Sequence, residues 1–286
     1  MSAVIPSRNR TDTSTVRAFG SRARALGLKV LNLSGALVVL VGLWQWAASG
    51  ASSVFFPAPL DIAKQAHRMF LTGPASELYM TRAVTVDISQ TLWRLLLGFA
   101  IGSLVGVVIG IAVGRSRSTR EFADPIIEFL RSVPATATLP LFIILLGGDD
   151  AMRVAFIAYG VSWFVLINTA AGVSAIHATP LALGQVFRMP AWKVLLRIIL
   201  PAASPKIFAG LRISLTGALL LAVVSEFMLA TNGIGYQLIQ SQTRFAIKDM
   251  WAWMLVLALL GFALNAVLEA VEHRFLAWDK LARTRG

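Results

Sequence analysis

The sequence predicts an all-α integral membrane protein with six transmembrane helices. Three observations predict it. First, 57% of the 286 residues are apolar and 14% are charged, against about 45–50% and about 25% in an ordinary soluble domain. Second, the apolar residues gather into stretches near the roughly 20 residues of helix that cross a bilayer core. Third, the 26 basic side chains, set against 14 acidic ones, cluster between alternate stretches, as lysine and arginine do when they are retained on the cytoplasmic side.

The stretches follow in order. Val30–Ala47 is uncharged and ends among Trp44 and Trp46, side chains suited to the membrane interface. A basic tail, an apolar run and small residues after it also describe a cleaved signal peptide, but this run exceeds the usual 7–15 residues or so, and an uncleaved first span is the better reading. The connector after it contains Pro59–Phe70, whose mixture of Leu60, Ile62, Ala63 and Ala66 with Asp61, Lys64, His67 and Arg68 fits either a short interfacial helix or a solvated linker. Leu95–Gly114 is uncharged and carries Gly98, Gly102, Gly106, Gly110 and Gly114 on one slowly drifting helical stripe. Such a stripe predicts close backbone packing against another helix.

Pro125–Gly148 is a weaker third span, interrupted by Glu128, Arg131, Pro134 and Pro140. Glu128 and Arg131 share a helix face and are expected to pair. Val154–Ile176 is uncharged, Phe208–Ala230 contains only Arg212 and Glu226 as charges, and Met250–Leu268 is the last span. The organisation is a basic cytoplasmic tail (1–29), a six-span domain (30–268) and a cytoplasmic C-terminal tail (269–286). Basic residues in both tails, at Arg115, Arg117 and Arg120, and at Arg188, Lys193, Arg197 and Lys206 put both termini in the cytoplasm. The net charge of +12 is thereby a matter of topology, and no nucleic-acid partner is expected; the lipid bilayer is.

Catalytic classes fall away. The absence of cysteine excludes a disulfide scaffold, a thiolate zinc site and a cysteine nucleophile. His67, His177 and His273 are too scattered for a metal site or a triad. No glycine directly precedes a lysine, so the phosphate-binding G-x-x-x-x-G-K-[ST] loop is missing. No catalytic or metal-ligating residue and no cofactor is expected in this chain, and any ATP and magnesium must be held by another.

Charges within spans are costly, about 2.5–3.5 kcal/mol at midplane on insertion scales. Arg94, at the edge of span two, and Arg212, at the edge of span five, are placed to snorkel. No cluster of span-embedded arginines marks an anion site. Glu226 lies deeper, next to Ser225 and before the glycine-broken run Thr231–Tyr236. It is either a structural partner for a neighbouring helix end or, with Ser225 and Asn168, part of a pathway gate.

The loop from His177 to Pro201 is basic and free of acids. It reads as two helical phrases, Pro180–Phe187 and Pro190–Leu200, parted near Arg188-Met189-Pro190. Trp192, Leu195, Leu196 and Ile199 share one face, with Lys193 and Arg197 on another. The hairpin either lies on the headgroups or is a rigid foot that docks into another protein.

Here the residues carry a resemblance. Ile198-Ile199-Leu200-Pro201 is similar to the end of the cytoplasmic coupling loop in the membrane subunits of binding-protein-dependent ABC importers, and Trp192 falls where one branch often has tryptophan. That motif also has a Glu-Ala-Ala triplet and a following glycine; here the triplet positions read Ala182-Leu183-Gly184, and Arg188 stands at the glycine's place. Phe56-Pro57-Ala58-Pro59, Arg131-Ser132-Val133-Pro134, Leu139-Pro140-Leu141-Phe142, Ser225-Glu226 and Gly233-Ile234-Gly235-Tyr236 resemble phrases of the nitrate/sulfonate/taurine-type permeases, which also include importers of vitamin precursors.

The resemblance implies a type I ABC importer permease of the bacterial inner membrane with no enzymatic activity of its own. It would pair with a second permease, usually its own copy. Two cytoplasmic ATPase subunits would grip the coupling loops, and an extracytoplasmic solute-binding protein would deliver cargo. Docking is carried onto Ala182, Leu183, Gly184, Arg188, Met189, Pro190, Ala191 and Trp192. Two other classes stand beside it: an ion-coupled secondary transporter working through Glu226, and a non-transporting membrane receptor or anchor.

Overall fold

Residues 35–50, 54–74 and 79–276 are described in a computed structural model. The basic tail, the first residues of the expected first span and the chain end from 277 lie outside them. The chain divides into two units, Met1–Lys64 and Gln65–Gly286. In the first, the described residues Gly35–Gly50 form an apolar helix, α1, and its Trp44 ring lies 5.4 Å from that of Phe56.

The second unit is all helical among its described residues. A π-helical turn (Ala83–Ile88) leads into α3 (Ser89–Arg115), followed by α4 (Arg117–Ser132), a 3-10 turn (Ala135–Thr138) and α5 (Leu139–Leu146). Then come α6 (Asp150–Ser174), α7 (Ala178–Val186), α8 (Ala191–Val194), a second π turn (Leu195–Ile199), α9 (Leu200–Glu226), α10 (Ile234–Thr243) and α11 (Ile247–Phe275). Among the described residues, four helical stretches are long and apolar enough to cross a membrane: Ala83–Arg115, Asp150–Ser174, Ala191–Glu226 and Ile247–Phe275. A bent pair, α4 with the segment Ala135–Leu146, makes a fifth if it counts as one span.

That pair covers the interrupted third span, and it bends by 77°. Proline sets the break. Pro134 holds Val133 in an extended conformation (φ −76°, ψ 119°), because the α region crowds the residue before a proline. Pro140 sits in the first turn of α5, where its missing N–H has no intrahelical acceptor to lose. Helix α4 buries none of its residues and carries the expected Glu128–Arg131 pair at 3.8 Å.

The core lies between α3, α6 and α9, where Leu95, Met152, Phe156, Ile157, Val161, Val165, Leu215 and Leu221 are buried together. The glycine stripe of α3 faces α6. A methyl group added at Gly106 would stand 2.8 Å from the Ser162 carbonyl oxygen, and one at Gly110 would stand 2.6 Å from Thr169 Cβ. Only a bare Cα fits between these backbones, and that closeness supplies the dispersion contact that lipid cannot.

Pro59–Phe70 is a helix, α2, and not a solvated linker, and its second half packs against α11. Phe70 packs edge-on to Trp253 of α11 at 4.9 Å, and Gln65 donates from Nε2 to Asp249 Oδ1 at 2.7 Å. Arg212 reaches Glu272 of α11 at 2.9 Å rather than solvent alone.

Candidate functional site

Two places in the helical unit hold polar structure of a kind that packing does not require. One is the 177–201 hairpin. The other is at the opposite end of the bundle, where α6 begins and α9 stops.

In the hairpin, α7 ends in a tight reversal. The amide of Met189 donates to the Gly184 carbonyl and that of Arg188 to the Gln185 carbonyl, each at 2.9 Å. This paired closure puts the residue after the helix cap in the left-handed region, and Arg188 adopts it at φ 46°. A side chain with a Cβ is disfavoured there by about 1–2 kcal/mol relative to glycine. Arg188→Gly is therefore expected to stabilise the turn by about 1 kcal/mol, read as slower hydrogen exchange of the Arg188 and Met189 amides.

The chain then re-enters helix at Ala191 and does not stop at Leu200. It runs through the π turn into α9 as one stretch, Ala191–Glu226, which corrects the expected separate second phrase. The π turn sits just before Pro201, whose ring would otherwise clash with the carbonyl four residues back, at Arg197.

Of the eight docking candidates, Ala182, Leu183, Arg188, Pro190, Ala191 and Trp192 are exposed and Met189 is half-buried. Gly184 is buried, and a Cβ there would meet Val194 and Ile198 within 3.3 Å. Leu183 (52% exposed), Val186, Phe187 (73%) and Trp192 form an apolar surface on a basic loop. Sequence reasoning missed Val186 and Phe187, whose exposure depends on how α7 folds back. A cavity of about 570 Å³ behind the hairpin is lined by Gln185 and Met189 on one side and Arg115, Arg117 and Arg120 on the other.

At the far end, Glu226 is 1% exposed and Arg94 3% exposed, so the expected snorkelling of Arg94 is wrong. Arg94 Nη1 donates to Glu226 Oε1 at 2.7 Å and Nη2 to Asn232 Oδ1 at 2.5 Å, while Nε donates to Asp150 Oδ1 at 2.9 Å. A guanidinium facing inward with every edge used is cheaper in lipid than one left alone, because its donors are satisfied without water.

The same cluster satisfies the start of α10. Three successive amides there would be orphaned. Gly233 N–H donates to Asp87 Oδ1 (2.9 Å), Ile234 N–H to Thr91 Oγ1 (2.8 Å) and Gly235 N–H to Glu226 Oε2 (2.9 Å). Thr91 Oγ1 in turn donates a hydrogen bond to Glu226 Oε1 at 2.9 Å. The glycines follow from this closeness. Gly233 has φ 111°, and a Cβ would run into the Glu226 carboxylate; at Gly235 it would run into the Val223 carbonyl.

Ser225 adjoins Glu226 but turns away, donating to the Ala222 carbonyl at 2.7 Å. Asn168 lies toward the hairpin end of α6 and donates to the Phe164 carbonyl at 2.8 Å. The three gate candidates therefore do not converge. Asp87, Thr91, Asp150, Arg153 and Asn232 were missed, although one signal was legible: two opposite charges, Arg94 and Glu226, each set into the same end of an apolar stretch. Among the described residues no group of histidine and carboxylate side chains has metal-binding geometry.

The model of the family described as the binding-protein-dependent transport system inner membrane component matches residues 102–276. The chain belongs to that family. As such a permease it is a multi-pass protein of the inner membrane. It is 30% identical over 271 residues to the putative aliphatic sulfonates transport permease protein SsuC of Bacillus subtilis (strain 168), covering 94% of each chain. The taurine transport system permease protein TauC of Escherichia coli (strain K12) is 31% identical over 247 residues, covering 85% of this chain and 88% of that one. The permease fold is also that of a chain in the MetNI methionine ABC transporter in an inward-facing conformation, at TM-score 0.58 and 14% identity over 66% of this chain and 94% of that one. The resemblance read from the coupling loop and the scattered phrases names the same family and branch. The permease is thus a transmembrane subunit of an ATP-driven importer.

Proposed function

We propose that two copies of this permease enclose the translocation pathway, with both termini in the cytoplasm and the 177–201 hairpins gripped by two ATPase subunits. An extracytoplasmic binding protein delivers a small solute of the sulfonate, nitrate, taurine or vitamin-precursor kind. ATP-driven closure of the motor moves the hairpins, and the continuous helix Ala191–Glu226 carries that movement to the far end, because a helix this long transmits displacement along its axis.

The observation that carries this reading is the exposed apolar surface of Leu183, Val186, Phe187 and Trp192 on a loop with no acidic residue. Aromatic and aliphatic anchors ringed by charge are what a docking surface presents. The competing ion-coupled mechanism needs an accessible carboxylate, whereas Glu226 is buried and held by Arg94, Thr91 and Gly235.

Leu183→Asp and Trp192→Asp should each release the ATPase during purification and abolish vanadate-sensitive uptake while the permease still reaches the membrane. A scrambled hairpin that keeps the motor bound and cargo accumulating overturns the proposal. Arg188→Gly removes the charge but keeps the turn. Loss of ATPase retention in that variant assigns Arg188 a direct ion pair with the motor, and full retention removes that role.

A further inference from the structure

Helix α4 (Arg117–Ser132) carries its charges on one side only. At about 100° per residue, Arg117, Arg120, Glu121, Asp124, Glu128 and Arg131 share an arc of roughly 100°. Phe122, Ile126, Phe129 and Leu130 occupy the opposite side, and all four are exposed. Ala123 and Ile127, between the two, are half-buried.

The helix is not a surface strap. It starts beside Arg115, the last residue of α3, and the 3-10 turn after it reaches the middle of the bundle. A methyl group at Gly160 of α6 would stand 3.6 Å from Ala135 Cβ. Gly160 lies about 21 Å of helix before Ser174, where α6 ends next to the hairpin. The charged arc therefore runs from the hairpin surface into the depth of the span. Arg120, Asp124, Glu128 and Arg131 line a cavity of about 380 Å³ whose other wall includes Leu166 and Ala170 of α6.

These charges are held differently from Arg94 and Glu226, which are buried and bonded to each other. Glu128 and Arg131 are 72% and 53% exposed and 3.8 Å apart, and Arg120 and Asp124 are 3.9 Å apart. Pairs that long are not hydrogen bonds, so most donors and acceptors of these groups need other partners. Acyl chains offer none, and charges within a span accordingly face a bundle interior or a water-filled cavity.

We propose that the charged arc of α4 is a wall of the water-filled vestibule through which the solute leaves on the hairpin side, with Asp124 and Glu128 facing the water. The side carrying Ile126 and Phe129 is turned away from it. Three arginines balance three carboxylates along the arc, so a passing ion meets no net charge to hold it. The assignment of this water to a solute route rests on the importer reading; the wet arc itself follows from charge and exposure.

The chain has no cysteine, so single-cysteine variants report without background. Asp124→Cys, Glu128→Cys, Ile126→Cys and Phe129→Cys interleave along the helix and differ in the side they face. Each is produced with its ATPase in inside-out membrane vesicles and treated with the membrane-impermeant sulfonatoethyl methanethiosulfonate. The reactive species is the thiolate, which apolar surroundings suppress, so the two charged-arc positions are expected to react at least about tenfold faster than the other two. Trapping the motor with ATP and vanadate shifts the permease out of its inward-open state and should slow labelling of Glu128→Cys at least about fivefold. Four rates within about threefold of one another, or faster reaction at Ile126 and Phe129, overturn the proposal. A Glu128→Cys that resists labelling and forms a disulfide with a second copy also overturns it, because the arc is then a contact between permeases. Retained motor with labelling unchanged by trapping overturns the vestibule alone. Membranes that retain no motor overturn the importer reading and the solute route with it, while the four labelling rates still decide the wet arc.

Discussion

Arg94→Met is expected to be among the most destabilising single changes in this permease. It removes a guanidinium that ties α3 to α9, α6 and the turn before α10, and it leaves Glu226 buried with its charge uncompensated. Removing one partner of a buried pair costs about 3–5 kcal/mol. For a chain of this size that lowers the melting temperature by roughly 10 °C. Glu226→Gln should cost less, because the amide oxygen still accepts from Gly235 and Thr91. Combining Arg94→Met with Glu226→Gln should recover part of the single-variant loss, since no unpaired buried charge then remains. Tryptophan fluorescence during heating of the detergent-solubilised protein reads all three. A double variant that loses the full sum of the two single effects would show that the residues act independently, against the geometry.

The second large effect is at the α3–α6 contact. Gly102→Leu and Gly106→Leu should each part the two helices, since even a Cβ at Gly102 meets the Ala158 carbonyl oxygen and Val161 Cβ. Overpacking commonly costs about 1–3 kcal/mol, and here the obstacle is backbone, which cannot rotate aside. The double variant is expected to fail to accumulate in the membrane. Gly217→Ala, on α9, is the matched control. The nearest atom to its new methyl group, Phe164 Cε2, is 3.6 Å away, so the gain in helix propensity is free to act and stability should hold or rise slightly. A uniform loss at all three glycines would mean that the stripe is not a packing surface.

Several elements were legible without coordinates because they depend on local periodicity and on the solvent. The long apolar helices follow from the cost of an unpaired backbone in lipid, and the spacing of the glycines announces a close helix partner. The partner itself, α6, was not legible, because a stripe of missing side chains says how near a neighbour comes and not which neighbour it is. Pro134 and Pro140 were visible within the third span. The sharp bend was not, since proline marks a possible break while the direction of the chain after it depends on what α5 packs against. Arg188 at the motif glycine's place read as a departure in chemistry. The structure adds that the position is a left-handed helix cap, so the departure also has a conformational cost.

Composition, charge asymmetry and the order of short phrases were enough to determine a membrane-embedded permease of a motor-driven importer with an exposed basic hairpin. These are properties of the chain against water and lipid, and they add up residue by residue along it. Only the tertiary structure decided that Arg94 and Glu226 face each other, and that Asp87, Thr91 and Glu226 accept from three successive amides at the start of α10. Each of those pairings joins residues far apart in sequence, and a hydrogen bond exists only where folding brings donor and acceptor within about 3 Å.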